Sequence, residues 1–293
     1  MKVSVIVCTY TKERLNDVLK CLHSLLDQTT KPDEILLVLD PVDELVQFYE
    51  ERIPNNVKIV RSHGFGLSEA RNTGLKVARG DIIAFIDDDA WADKYWLENM
   101  LKNFEDKEVW VVGGKIVPVF DKKRPKWLAE ELDWIVGCTY KAMPKNKSEI
   151  RNPIGANMGF KREAFKIAGY FRSEVGRYGK KLLSGEEAEF AMRLKKLKPN
   201  VKIIYDPSVI VYHRVPESRA TLKYAFKRAY YEGYSKAILS REYNLDTEYK
   251  YAKTLISSIL RRIVRFKFSE CITLILVVFI VFFGNIVGKL RLT

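Results

Sequence analysis

No two of this chain's four cysteines are spaced to act together. Cys8, Cys21, Cys138 and Cys271 are scattered, none at Cys-x-x-Cys spacing, and Cys8 falls inside an apolar run. That argues against a disulfide framework or a zinc site and fits a reducing compartment. A secretory leader is missing as well: Met1-Lys2 runs straight into Val3-Ser4-Val5-Ile6-Val7, too short for a signal h-region. Catalysis is therefore expected on the cytosolic side. Internal repeats and low-complexity tracts are absent, and so are the Walker and dinucleotide fingerprints. Acidic charge is in deficit, with 37 Asp and Glu against 50 Lys and Arg, a formal net charge of +13. Such a balance favours anionic partners: nucleic acid, phospholipid headgroups or phosphorylated substrates. What is present in quantity is apolar surface. Hydrophobic residues make up 47% of the 293-residue chain, enough for a folded globular protein with a sizeable core.

The first ninety residues alternate strand-like and helix-like patterns. Val3 to Cys8 is a short, largely β-branched run, and Leu15, Val18, Leu19, Leu22, Leu25 and Leu26 then recur at helical spacing. Ile35 to Leu39, Val57 to Val60 and Ile82 to Ile86 are further continuous runs, with a helix expected at Leu67 to Val77. Continuous rather than alternating strands imply a sheet covered on both faces, with helices as crossovers, which is the α/β parallel-sheet class. Further on, Val109 to Val112 before Gly113-Gly114 predicts a strand and a turn. Glu186 to Leu197 predicts a helix, and Val201 to Tyr205 and Val209 to Tyr212 predict two strands.

The character changes after about residue 215. From Arg214 to Lys267 there are thirteen Lys or Arg against five Asp or Glu, a local net of +8. Cys271 to Gly288 is then free of charge, and Leu274 to Phe283 is apolar at every position. At about 1.5 Å per residue this stretch reaches the lower limit for a membrane span. A full span, a shallow or re-entrant insertion, and a core helix of a soluble domain all remain open. The expected domains are 1–215, a catalytic domain; 216–268, a basic helical region; and 269–293, a hydrophobic membrane-associated helix.

Asp87-Asp88-Asp89 is the sharpest chemical signal, at the carboxyl end of the run Ile82 to Ile86, where open α/β sheets place their ligands. Three adjacent carboxylates repel one another unless a cation compensates. Mg²⁺ or Mn²⁺ would bind oxygen ligands there and bridge phosphates. An acidic surface turn is the plain alternative. Thr9 and Tyr10 end the first run and Asp40 ends the second, all suited to holding a nucleobase, with Arg14 placed beside them. Gly64 to Gly74 adds a glycine-rich loop and Arg71, whose guanidinium matches phosphate geometry. His213 follows the last expected strand and reads equally as metal ligand or structural residue.

Together these segments resemble glycosyltransferase family 2, with its GT-A fold. The likeness is carried in order by Val3 to Tyr10, Glu34 to Asp40, Ala70-Arg71-Asn72-Thr73-Gly74, Phe85 to Asp89, Gly155 to Phe160 and Gly185-Glu186-Glu187. It implies that Thr9, Tyr10 and Asp40 hold the base, and that Asp87, Asp88 and Asp89 hold ribose and metal. Many members have a second Asp where this chain has Leu39. The resemblance further implies an inverting transfer with Glu187 as general base and Glu186 as the second candidate. An acidic helix N-terminus is the alternative for both. It also implies that Gly114, Asn157 and Met158 lie near the transferred sugar, and that His213 binds metal. Arg177 to Glu187 and Arg228 to Lys236 are similar to archaeal enzymes that extend dolichyl-phosphate-linked sugars with glucuronate. That likeness implies a UDP-sugar donor whose uronate is met by Arg177, a lipid-phosphate-linked acceptor met by the basic stretch after Arg214 that holds Arg228, and work at the cytoplasmic face of the cell membrane. Alternatives are a polyprenyl-phosphate hexose synthase using UDP-glucose or GDP-mannose, and a nucleotide-sugar sensor without turnover. Nucleic acid is not expected as a partner, since it leaves the Asp triplet unexplained.

Overall fold

Three apolar runs become neighbouring parallel strands. These are β1 (Val3–Thr9), β2 (Glu34–Leu39) and β4 (Ile82–Asp87), almost every residue of which is buried. A computed structural model describes residues 1–175, 182–244, 255, 257–260, 262, 264 and 267–292. Strand β3 (Lys58–Arg61) adds to β2, and the register sets Thr9 opposite Leu39 and Cys8 opposite Asp87. The carboxyl ends of β1, β2 and β4 thus line one rim of the sheet. The remaining strands are β5 (Ala90–Ala92), β6 (Val109–Phe120), β7 (Ser148–Glu149), β8 (Asn157–Lys161) and β9 (Lys202–Val215). The sheet order is β3-β2-β1-β4-β8-β6-β9-β5, with β7 on β9. Pairing is parallel from β3 to β4, whereas β4–β8, β6–β8, β5–β9 and β7–β9 are antiparallel. The expected α/β class stands, with its parallel part confined to the first four strands.

The chain divides into two compact units. The first comprises Met1–Val117, Pro144–Gly179 and Glu186–His213. Its helices are α1 (Leu15–Leu26), α2 (Asp43–Glu50), α3 (Leu67–Val77), α4 (Trp96–Asn103), α5 (Arg162–Ala168) and α6 (Glu186–Leu197). Helix α1 buries Val18, Cys21, Leu22 and Leu25, the stripe its spacing predicted. One side of the sheet is sealed by an aromatic cluster. Phe160 meets Phe85 and Phe190 edge-on at 5.9 and 5.4 Å, and Phe165 lies 4.8 Å from Phe190. Each such buried ring contributes roughly 1.5–3 kcal/mol.

Two expectations about the strands do not hold. Gly113-Gly114 is no turn, because β6 runs through both. A Cβ on Gly114 would sit 2.1 Å from the Val209 carbonyl oxygen and 2.2 Å from Asn157 Nδ2. The glycines are there for close approach between strands, not for bending. Likewise, the two strands expected between 201 and 212 are one strand, β9, 14 residues long.

The second unit comprises Pro118–Met143, Lys180–Gly185 and Arg214–Thr293. It contains a 3-10 segment (Glu130–Val136), α7 (Leu222–Leu239) and α8 (Phe268–Leu292). Thr221 caps α7 by accepting a hydrogen bond from the Tyr224 amide at 3.2 Å. Helices α7 and α8 touch through small residues. A Cβ on Gly233 would meet the Val281 carbonyl oxygen at 1.9 Å, one on Gly284 the Tyr230 carbonyl oxygen at 2.2 Å, and one on Gly288 the Ala237 Cβ at 2.7 Å. In the same unit Arg262 Nη2 pairs with the fully buried Glu131 at 2.6 Å.

Candidate active site

The acidic triplet ends β4 and enters β5. Because β5 pairs with β9 so that Ala90 faces His213, Asp89 comes beside the imidazole, Oδ1 to Nε2 at 3.2 Å. One ligand atom from each of Asp87, Asp89 and His213 lies within 4.8 Å of the others. Two carboxylates and one imidazole at that separation fit a divalent cation with a preference for oxygen ligands, such as Mn²⁺ or Mg²⁺. Asp88 is buried, and its Oδ2 has no hydrogen-bond partner among the described residues. Burial pushes Asp88 up to about 6; Arg14 works against the shift, while Asp89 and Asp87 reinforce it.

Two arginines pair with the triplet. Arg14 is paired with Asp88, and its Nη2 stands 3.4 Å from Asp89. Its guanidinium also lies 5.2 Å from the centre of the Tyr10 ring, which is exposed and free to stack on a base. Thr9, by contrast, is buried. Asp40 is half-buried, and desolvation raises its pKa against a hydrogen bond from the Gly66 backbone. Arg71 is not presented to a phosphate as expected. It is 2% exposed, with Nη1 2.8 Å from Glu186 and Nη2 3.4 Å from Asp87 and 3.2 Å from the Gly155 carbonyl. Its contacts tie three segments together.

That pairing separates the two glutamates at the start of α6. Glu186 is buried against Arg71, whereas Glu187 is only partly buried and faces the same positive charge. Cys8 lies in the same electrostatic environment, but burial pushes its thiol up to about 12, so it stays protonated and inert.

The expected sugar contacts need correction. Asn157 is fully buried: its Oδ1 accepts from Trp96 Nε1 at 2.8 Å, and its Nδ2 donates to the carbonyls of Val209 at 2.8 Å and Lys115 at 3.0 Å. It pins β8 to β6 and β9 and has no surface left for a sugar hydroxyl. Met158 is likewise buried in the core, and Gly114 packs against Asn157 and Val209. Trp96, the partner of Asn157, was not singled out in the sequence, where one tryptophan gives no sign of its distant partner. Arg228 belongs to the second unit, buried beside Glu232 at 3.0 Å and 5.6 Å from the Trp134 ring centre, and its Nε has no partner among the described residues. Arg177 lies outside the described residues.

The family described as glycosyl transferase family 2 matches residues 4–167. The glucosyl-dolichyl phosphate glucuronosyltransferase of Haloferax volcanii is 32% identical over 83% of this chain and 79% of its own. The chain belongs to glycosyl transferase family 2. It is accordingly an enzyme, a hexosyltransferase. Among solved structures, this family 2 enzyme resembles the mannosyltransferase PcManGT of Pyrobaculum calidifontis, solved with GDP-Man and Mn²⁺. The TM-score is 0.62 at 20% identity, over 99% of this chain and 87% of that one. It also resembles residues 1–349 of S. aureus TarS with UDP-GlcNAc, at a TM-score of 0.54 and 20% identity over 84% and 68% of the two chains. It spans 43% of a longer TarS chain. At that identity these structures establish the shared α/β GT-A fold.

Proposed function

We propose that this glycosyltransferase moves a sugar, glucuronate from UDP-glucuronate in its most specific form, onto a polyprenyl- or dolichyl-phosphate-linked sugar, with inversion. The observation that carries the proposal is the convergence of Asp87, Asp89 and His213 at the strand rim, with Glu187 on the neighbouring helix. The donor's base stacks on Tyr10, with Asp40 at its polar edge. Asp87, Asp89 and His213 hold Mg²⁺ or Mn²⁺. When bound, the ion neutralises charge on the leaving diphosphate.

Glu187 takes the proton from the acceptor hydroxyl as that oxygen bonds the anomeric carbon. The bond to the diphosphate breaks on the opposite face, its electron pair leaving with UDP. Arg71 holds Glu186 and Asp87 in place and so sets the start of α6 relative to the triplet. The lipid end of the acceptor is supported by a recess of about 290 Å³ in the second unit, lined by Leu183, Tyr230, Tyr231, Tyr234, Ile238 and Arg291. Its aromatic and aliphatic walls suit an isoprenoid, and Arg291 suits a phosphate. Together with the acceptor named for the Haloferax relative, this recess supports work at a membrane, which we place at its cytoplasmic face.

The test is a panel of UDP- and GDP-sugars offered with short polyprenyl-phosphate glucose and with polyprenyl phosphate alone, with Mn²⁺, with Mg²⁺ and with EDTA. Transfer from UDP-glucuronate to the lipid-linked sugar, lost in EDTA and giving the inverted anomer, is expected. Transfer to bare polyprenyl phosphate alone would replace the proposal with a polyprenyl-phosphate sugar synthase.

A further inference from the structure

Helix α8 is apolar all round, and its two faces have different fates. One face, with Leu274, Val277, Gly284 and Gly288, is buried, its C-terminal half against α7. The opposite stripe, Ile272, Ile275, Phe279, Phe282, Ile286 and Leu290, is open, with Phe279 68% and Phe282 63% exposed. These residues recur at i, i+3 and i+4 spacing and make one continuous apolar strip along the helix. A strip of that length marks an interaction surface rather than ordinary scattered exposure. Cations bound it, with exposed Lys267 at one end and Lys289 and Arg291 at the other.

By length and hydropathy α8 could cross a bilayer. Its partner argues otherwise. Gly284 faces Tyr230, Gly288 faces Ala237, and Asn285 donates to the Gly233 carbonyl, so α7 runs beside α8 in the same direction. A spanning α8 would carry α7 into the hydrocarbon beside it. With α7 would go Arg228, Glu232 and Lys236, which form one ion-paired ladder, and the exposed Lys227. Each such charge costs about 2.5–3.5 kcal/mol at the middle of a bilayer on insertion scales. An in-plane α8 has no such cost. Its strip enters the acyl boundary to a depth of about 5–10 Å, α7 rides above it, and the terminal cations reach anionic headgroups.

We infer that α8 is a monotopic anchor, lying along one leaflet of an anionic bilayer with Ile272, Phe279, Phe282 and Ile286 submerged and both helix ends on the same side. This rests on the membrane location proposed above. It adds that the chain does not cross the membrane there, and that acceptor and enzyme meet in one leaflet.

The full chain is added to preformed phosphatidylcholine vesicles with and without phosphatidylglycerol, and flotation is measured. Binding is expected to be stronger with phosphatidylglycerol and to fall by at least tenfold in Phe279→Asp/Phe282→Asp. Both positions are exposed, so an unchanged circular-dichroism spectrum will confirm the fold of that variant. In separate variants, Phe268→Cys and Lys289→Cys are treated with a membrane-impermeant maleimide from outside. Labelling of both without lysis supports the in-plane anchor. Labelling of Lys289→Cys only after lysis shows a span, overturning the inference while leaving the membrane location standing. Failure to float with either vesicle, or undiminished flotation of the double variant, overturns the inference. The former removes the membrane location as well.

Discussion

His213 Nε2 stands 3.2 Å from Asp89 Oδ1, far apart in sequence, because the short strand β5 lies against β9 with Ala90 opposite the histidine. The residue just before Ala90 is thereby delivered to the imidazole, and a third ligand joins two carboxylates. His213→Ala should weaken Mn²⁺ binding in the presence of UDP by about tenfold or more, which is 1.4 kcal/mol. Titration calorimetry reads this directly. An unchanged affinity would remove His213 from the metal site.

The two glutamates of α6 should fail in different ways. Glu187→Gln is expected to lower kcat by about 10²–10⁴-fold while UDP affinity stays near that of the parent. Glu186→Gln leaves the buried Arg71 with only the more distant Asp87 as ion-pair partner, and breaking such a buried pair costs up to about 3–5 kcal/mol of stability. Thermal unfolding should therefore move for Glu186 and steady-state kinetics for Glu187. The reverse pattern would exchange their roles.

Acid should act on the second unit through Glu232. Burial alone would raise this carboxyl, but Arg228 and Lys236, with hydrogen bonds from Arg228 and Ser184, overcome burial and hold it at about 2. A group depressed on folding stabilises the native state fully above its unfolded pKa. That contribution, at most about 2–3 kcal/mol, is lost as pH falls from about 4.5 towards 2. Denaturant melts of the wild type and of Glu232→Gln should thus differ at neutral pH and converge towards pH 2. A constant difference across that range would show that the ladder does not titrate as described.

Gly114→Ala tests the reason for the glycine pair in β6. The new methyl would meet the Val209 carbonyl and the Asn157 amide, neither of which can yield without loosening β8. A loss of about 1–3 kcal/mol is expected, with a lower Tm by calorimetry. A neutral substitution would show that the sheet gives way more easily than its packing implies.

Much of this protein was legible in its local patterns. Continuous runs at Val3, Ile35 and Ile82 announced doubly covered strands, and the α1 stripe of Val18, Leu22 and Leu25 announced the face that is buried. Three adjacent aspartates announced the acidic rim because their mutual repulsion is a property of sequence neighbours. Gly113-Gly114 misled, since a glycine that admits a neighbouring strand reads the same as one that turns the chain. Asn157 misled in a similar way: an amide bonded to two strands and a helix has the composition of one waiting for a sugar.

What the amino-acid sequence determined alone was therefore everything that depends on near neighbours: element type, the acidic rim, the charge-free stretch and the family. Only the tertiary structure decided which far-off groups meet. Antiparallel pairing brought His213 to Asp89, burial turned Arg71 from a phosphate ligand into a clamp on Glu186, and the contact with α7 gave α8 one covered face and one open face. Those outcomes depend on strand order and helix packing, where residues distant in the chain compete for the same space, and no local pattern records which of them wins.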